Sequence, residues 1–154
     1  MTPEDIVRTL CAEVSHGDPG RVAPLLADDV VFINVGLDTA IGRDRVLERF
    51  AGYWAMFPEV FIFHIRNLGT NGNRVFTERV DFMGANGIVA PIPCNGVFEV
   101  VGGRIAHWRD YADMATARRL IAGARVGPEE GMPPGTYELY QAGAPPTSPT
   151  LRGK

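Results

Sequence analysis

Apolar residues follow a helical rhythm at the start of the chain and alternate through its middle. Ile6, Val7, Leu10, Cys11 and Val14 fall on one helical stripe. Thr2 is placed to cap that helix, Pro3 suits its first position, and Glu4 and Asp5 complement its dipole. Asp18-Pro19 predicts a second, shorter helix through about Leu26. The β-branched and aromatic run from Val30 to Val35 predicts a strand. A third helix is expected from about Arg43 to Met56, with Val46, Leu47, Phe50, Ala51 and Trp54 facing inward.

Four strand-like segments follow: Val60 to Asn67, Arg74 to Met83, Ile88 to Val101 and Arg104 to Tyr111. Gly69-Thr70-Asn71-Gly72, Gly84-Ala85-Asn86-Gly87 and Gly102-Gly103 punctuate them, the last pair being a two-residue hairpin signal. Asp113 is placed to cap a last helix reaching about Ala122. The order predicts an α+β fold, a curved, mostly antiparallel sheet with helices packed on its concave face, and such a sheet can hold a deep pocket. Residues 127–154 hold six prolines and five glycines. That density predicts an extended or disordered Gly/Pro-rich tail, with Tyr137 to Tyr140 docking locally, beyond a domain spanning residues 1–126.

Composition narrows the function classes. With 154 residues and 45% hydrophobic content the chain can bury one core. A formal charge of −3 argues against a broad nucleic-acid-binding surface. Cys11 and Cys94 make no disulfide framework and no metal spacing. Without a leader-like start or a membrane-length apolar run, a cytoplasmic protein is expected. Ser15 and Ser148 lie outside any nucleophile-elbow motif, and His16, His64 and His107 lack zinc-ligand spacing.

The informative residues are charges inside apolar strands. Alternation puts Thr77, Arg79, Asp81 and Met83 on one face and Phe76, Val80 and Phe82 on the other. Ala106, Trp108 and Asp110 likewise share a face. If Asp81 and Asp110 meet in a pocket with Arg79 between them, two carboxylates and one guanidinium leave a buried negative charge. One proton held across the pair removes it, making one Asp an acid and the other a base. The same residues also fit a solvated ion pair on an exposed sheet, with Asp110 serving a turn.

Thr77-Glu78-Arg79-Val80-Asp81, followed by Trp108-Arg109-Asp110-Tyr111-Ala112-Asp113, resembles the limonene-1,2-epoxide hydrolase family. The resemblance spans about residues 3–122, with Asn34 a further match and Gly42-Arg43-Asp44 a weaker one. It implies the cone-shaped fold of nuclear transport factor 2 and the SnoaL-like cyclases. It also implies hydrolysis of an epoxide by water without cofactor or metal, and a homodimer through the outer sheet face. By that resemblance Asp110 is the general base, Asp81 the acid, Arg79 the bridge and Asn34 a water-holding residue. The family has a Tyr two residues before that Asn, where this chain has Phe32. Loss of the hydroxyl raises an alternative, an epoxide-opening cyclase whose nucleophile is a substrate alcohol; a non-catalytic small-molecule-binding module is a third reading. Phe32, Trp108, Met83, Phe63 and Phe98 are expected to line an apolar substrate pocket.

Overall fold

The computed structural model describes residues 1–141. Helix α1 (Pro3–Glu13) starts with a reciprocal cap. The Thr2 hydroxyl accepts from the Asp5 amide at 3.1 Å, and the Asp5 carboxylate accepts from the Thr2 amide at 2.8 Å. Its stripe of Ile6, Val7, Leu10 and Cys11 is buried. Helix α2 (Pro19–Val22) is shorter than expected and passes into a 3₁₀ turn over Ala23–Leu25. Pro24 explains the early end, because it has no N–H to continue an α-helical ladder.

Strand β1 (Leu26–Asn34) begins earlier than its β-branched run suggests. Leu26 pairs with Ile105, and the register then slips before Val31 meets His107. Asp28 and Asp29 are exposed in that irregular stretch, which hides the strand's start from any alternation test. A two-residue strand, β2 (Ala40–Ile41), pairs with β1 and leads into α3 (Arg43–Met56). Then come β3 (Val60–Asn71), β4 (Arg74–Ala85), β5 (Ile88–Val101), β6 (Arg104–Tyr111) and α4 (Met114–Ile121). Gly102 and Gly103 both take positive φ, 58° and 77°, as a tight hairpin between β5 and β6 requires. Asp113 caps α4 by accepting from the Ala115 amide at 3.0 Å.

The six strands form one curved sheet in the order β2-β1-β6-β5-β4-β3, antiparallel except where β1 runs parallel to β6. Helices α1 and α3 close its inner face around Phe32, Phe50, Trp54, Phe61, Phe98 and Trp108. The Trp54 indole donates to the Val14 carbonyl at 2.9 Å, which ties α3 to the turn after α1.

Residues 127–141 correct the expectation of a tail without regular elements. A 3₁₀ turn covers Pro128–Glu130 and a short helix, α5, covers Thr136–Gln141. The prolines stand at the start of the turn and ahead of α5, where a missing N–H costs little. Tyr137 docks by exchanging hydrogen bonds with the Val126 backbone at 2.8 and 3.1 Å, and Arg125 stacks on its ring. Leu139 packs on Val60, Ile62, Val80 and Phe82 of the outer sheet face. The rest of the proposed tail, residues 142–154, lies outside the described residues. No described helix is long and apolar enough to cross a membrane.

Candidate active site

Strand register builds the site. Arg79 lies opposite Cys94 and Asp81 opposite Ile92, while Thr77 lies opposite Gly96, which in turn lies opposite Asp110. Paired positions share a sheet face, so the inner face of β4 meets that of β5 and β6 here. The parallel pairing of β1 with β6 adds Asn34 beside Asp110.

Arg79, Asp81 and Asp110 are buried, with 1%, 4% and 4% of their surface exposed. The guanidinium holds both carboxylates in two-point contacts. Nε and Nη2 donate to Asp81 Oδ1 and Oδ2 at 2.9 Å each. Nη1 and Nη2 donate to Asp110 Oδ1 and Oδ2 at 3.1 and 3.0 Å. Nη1 also reaches Thr77 Oγ1 at 3.4 Å, so each of the five guanidinium N–H groups has an oxygen partner. The Trp108 indole donates to Asp110 Oδ1 at 2.8 Å, and the Phe63 ring lies 4.5 Å below the guanidinium carbon. The solvated ion-pair alternative does not describe this cluster.

The electrostatics are those of a site one positive charge short. Burial pushes the Asp81 carboxyl above the usual carboxylate range, although Arg79 pulls the other way. Burial would also lower the Arg79 pKa, but Asp110 and Asp81 outweigh it and hold the guanidinium firmly charged. Two buried carboxylates against one guanidinium leave a negative charge that one proton held across the pair would neutralise. Cys94 lies 3.3 Å from Arg79 Nη2, and its thiol pKa is raised by burial and then by the Asp81 carboxylate.

Asp81, Cys94 and Asp110 offer atoms within 4.8 Å of one another, a spacing that invites a metal ion. The donor set fits one poorly: the guanidinium already occupies the carboxylate oxygens, and the thiol is held protonated.

An apolar cavity of about 250 Å³ opens on this cluster. Asn34, Asp81, Cys94 and Asp110 are at its polar end, and Tyr53, Phe61, Phe63 and Met83 are among its wall residues. Phe32, Trp108 and Phe98 do not line it, which corrects their placement as substrate contacts. They share the inner face but are sealed in the core. There the Phe32 ring packs 4.5 Å from Trp108, and Phe98 stacks on the same indole at 5.4 Å. A second hollow of about 320 Å³ is lined by Arg66, Glu78, Asn95 and Glu130 and also touches Arg79 and Cys94, but includes neither carboxylate of the cluster.

Residues 2–121 match the family model of the limonene-1,2-epoxide hydrolase catalytic domain. The chain belongs to this family. The epoxide hydrolase EphG of Mycobacterium tuberculosis is 38% identical over 108 residues, which span 66% of each chain. A solved limonene-epoxide-hydrolase-like epoxide hydrolase of M. tuberculosis is 30% identical, with a TM-score of 0.69 over 78% of this chain and 89% of that one. A SnoaL-like polyketide cyclase fold from Jannaschia sp. reaches the same TM-score, 0.69, over 80% of this chain and 93% of that one. At 13% identity it speaks for the fold alone.

Within this limonene-1,2-epoxide hydrolase-family site, three contributors escaped sequence reasoning. A Cβ on Gly96 would sit 2.5 Å from Arg79 Nη1 and 2.9 Å from Asp110 Oδ1, so this position has room for hydrogen only. Its strand register was the missing signal. Cys94, for which the sequence suggested neither a disulfide nor a metal, touches Arg79. Tyr53, on α3, brings a hydroxyl within 3.5 Å of Asn34 Nδ2.

Proposed function

We propose that this chain adds water to a small, mostly apolar or alicyclic epoxide and releases a diol. The observation that carries the reading is one buried guanidinium gripping two carboxylates at the end of an apolar cavity. Asp110 takes a proton from water as its oxygen bonds to a ring carbon. The carbon–oxygen bond of the ring breaks, and Asp81 delivers its proton to the departing oxygen. Arg79 keeps both carboxyls aligned and buffers the charge shift between them, so the cluster stays neutral through the transition state. Asn34 holds the water. A proton passed from Asp110 back to Asp81 resets the site, and no covalent intermediate is required.

Phe32 favours weighing a second reading, in which a hydroxyl of the substrate replaces water and Asp110 deprotonates that alcohol. Turnover of cyclic and terminal epoxides in heavy-oxygen water separates the two. Hydrolysis puts the label into a diol, whereas internal cyclisation gives an unlabelled ether. Asp110→Asn and Asp81→Asn are each expected to lower turnover by about 10³-fold or more while the fold persists. Near-normal turnover in either variant, measured beside an intact circular dichroism spectrum, removes that residue from the mechanism.

A further inference from the structure

Asn34 Oδ1 is buried, with no hydrogen-bond partner among the described residues. An orphan acceptor of this kind is costly unless something visits it. Two other polar groups share its cavity. Asp110 lies beside Asn34 in the strand register, and the Tyr53 hydroxyl accepts a 3.5 Å contact from Asn34 Nδ2 with its own proton unassigned. Asn34, Tyr53 and Asp110 all face the same cavity.

We propose that Tyr53 holds the nucleophilic water from α3, donating its O–H to a water that also bonds Asn34 Oδ1 and Asp110. The inference rests on the hydrolytic reading above. A water molecule has two hydrogens and two lone pairs. One hydrogen goes to Asp110, the group that removes it, and the other satisfies Asn34 Oδ1. One lone pair accepts from Tyr53, and the last is left free to attack carbon. Accepting from Asn34 Nδ2 polarises the Tyr53 O–H and strengthens what it donates.

The surroundings fit an ordering role. Tyr53 meets Phe50 edge-on at 5.5 Å and stacks on Phe61 at 6.5 Å, so its ring is fixed by aromatic packing that needs no hydroxyl. Phe32, on Asn34's own strand, is sealed against Trp108 and contributes no polar atom. The hydroxyl therefore comes from a helix across the cavity, a source that strand alternation cannot reveal.

Tyr53→Phe removes one oxygen and leaves the ring packing in place. The expected result is a fall in kcat of about 10- to 100-fold, with KM within about twofold and an unchanged melting temperature. A purely packing role would leave kcat alone. The second readout is a crystal structure: the wild type should hold a water within hydrogen-bond distance of Tyr53, Asn34 and Asp110, and Tyr53→Phe should lose or displace it. An unaltered kcat in Tyr53→Phe, in a protein whose turnover depends on Asp110, overturns the tyrosine's role and leaves the hydrolytic reading standing. A wild type with no epoxide turnover overturns that reading, and water occupancy then decides the tyrosine's role alone. A site whose water ignores Tyr53 rejects it.

Discussion

At the closed end of the cavity, all five Arg79 donors have oxygen partners, the Trp108 indole holds Asp110, and Gly96 leaves no room for another atom. The exposed part of the cavity lining, Met56 (61%), Leu37 (42%) and Ile121 (38%), comes from α3, the loop between β1 and β2, and α4, and marks its open end. The closed end is over-determined because a misplaced buried charge is expensive. The open end is apolar surface that water tolerates and a greasy substrate would cover. On the proposed reading, chemistry and recognition are separated along one axis, and perturbations should weaken as they move outward.

Gly96→Ala is the severest test of that ordering. Its methyl must push Arg79 and Asp110 apart, so kcat/KM should fall about 100-fold or more. The same overpacking should cost about 1–3 kcal/mol of stability, read from denaturant unfolding. Normal kinetics in this variant would mean that the closed end is more pliant than its bonding suggests.

The pH profile gives an intermediate effect. In the proposed mechanism Asp81 must be protonated to act as the acid, and burial raises its pKa. Above the folded-state value, kcat/KM should fall about tenfold per pH unit, on a limb nearer neutrality than an ordinary Asp would give. The sign for stability is the same. With its pKa raised on folding, protonated Asp81 contributes stability that is complete below the unfolded value and is lost as pH rises through the folded one. Melting temperature against pH should therefore decline on that limb in the wild type and lack the same decline in Asp81→Asn.

Met56→Ala, at the mouth, should have the smallest effect. Stability is expected to change by less than about 0.5 kcal/mol, as for exposed positions. KM should rise a few-fold for bulky apolar epoxides with kcat preserved. A large kcat loss here would merge the two ends of the cavity into one functional unit.

Much of the closed end was legible from alternation. Arg79 and Asp81 fall two apart on one face of β4, opposite Val80 and Phe82, and Trp108 and Asp110 likewise fall two apart on one face of β6. The Gly102-Gly103 hairpin and the Asp113 cap are local chemistry and could be read the same way. Depth was not legible. Phe32, Trp108 and Phe98 share the inner face but lie under the helices, and only tertiary packing distinguishes a wall from the core behind it. Gly96 and Tyr53 matter through register and through a helix crossing the cavity, which are long-range relations. Helix α5 escaped because proline density masks elements whose prolines sit at permitted ends.

The bare Cα of Gly96 also limits how this protein can diversify. Any lineage or laboratory campaign seeking new substrates has no foothold beside Arg79 and Asp110, since the smallest side chain collides there. Adaptive changes are steered instead toward Met83, Ile92 and the collar around Met56. Variants should then trade one epoxide for another while keeping the same bond-breaking step.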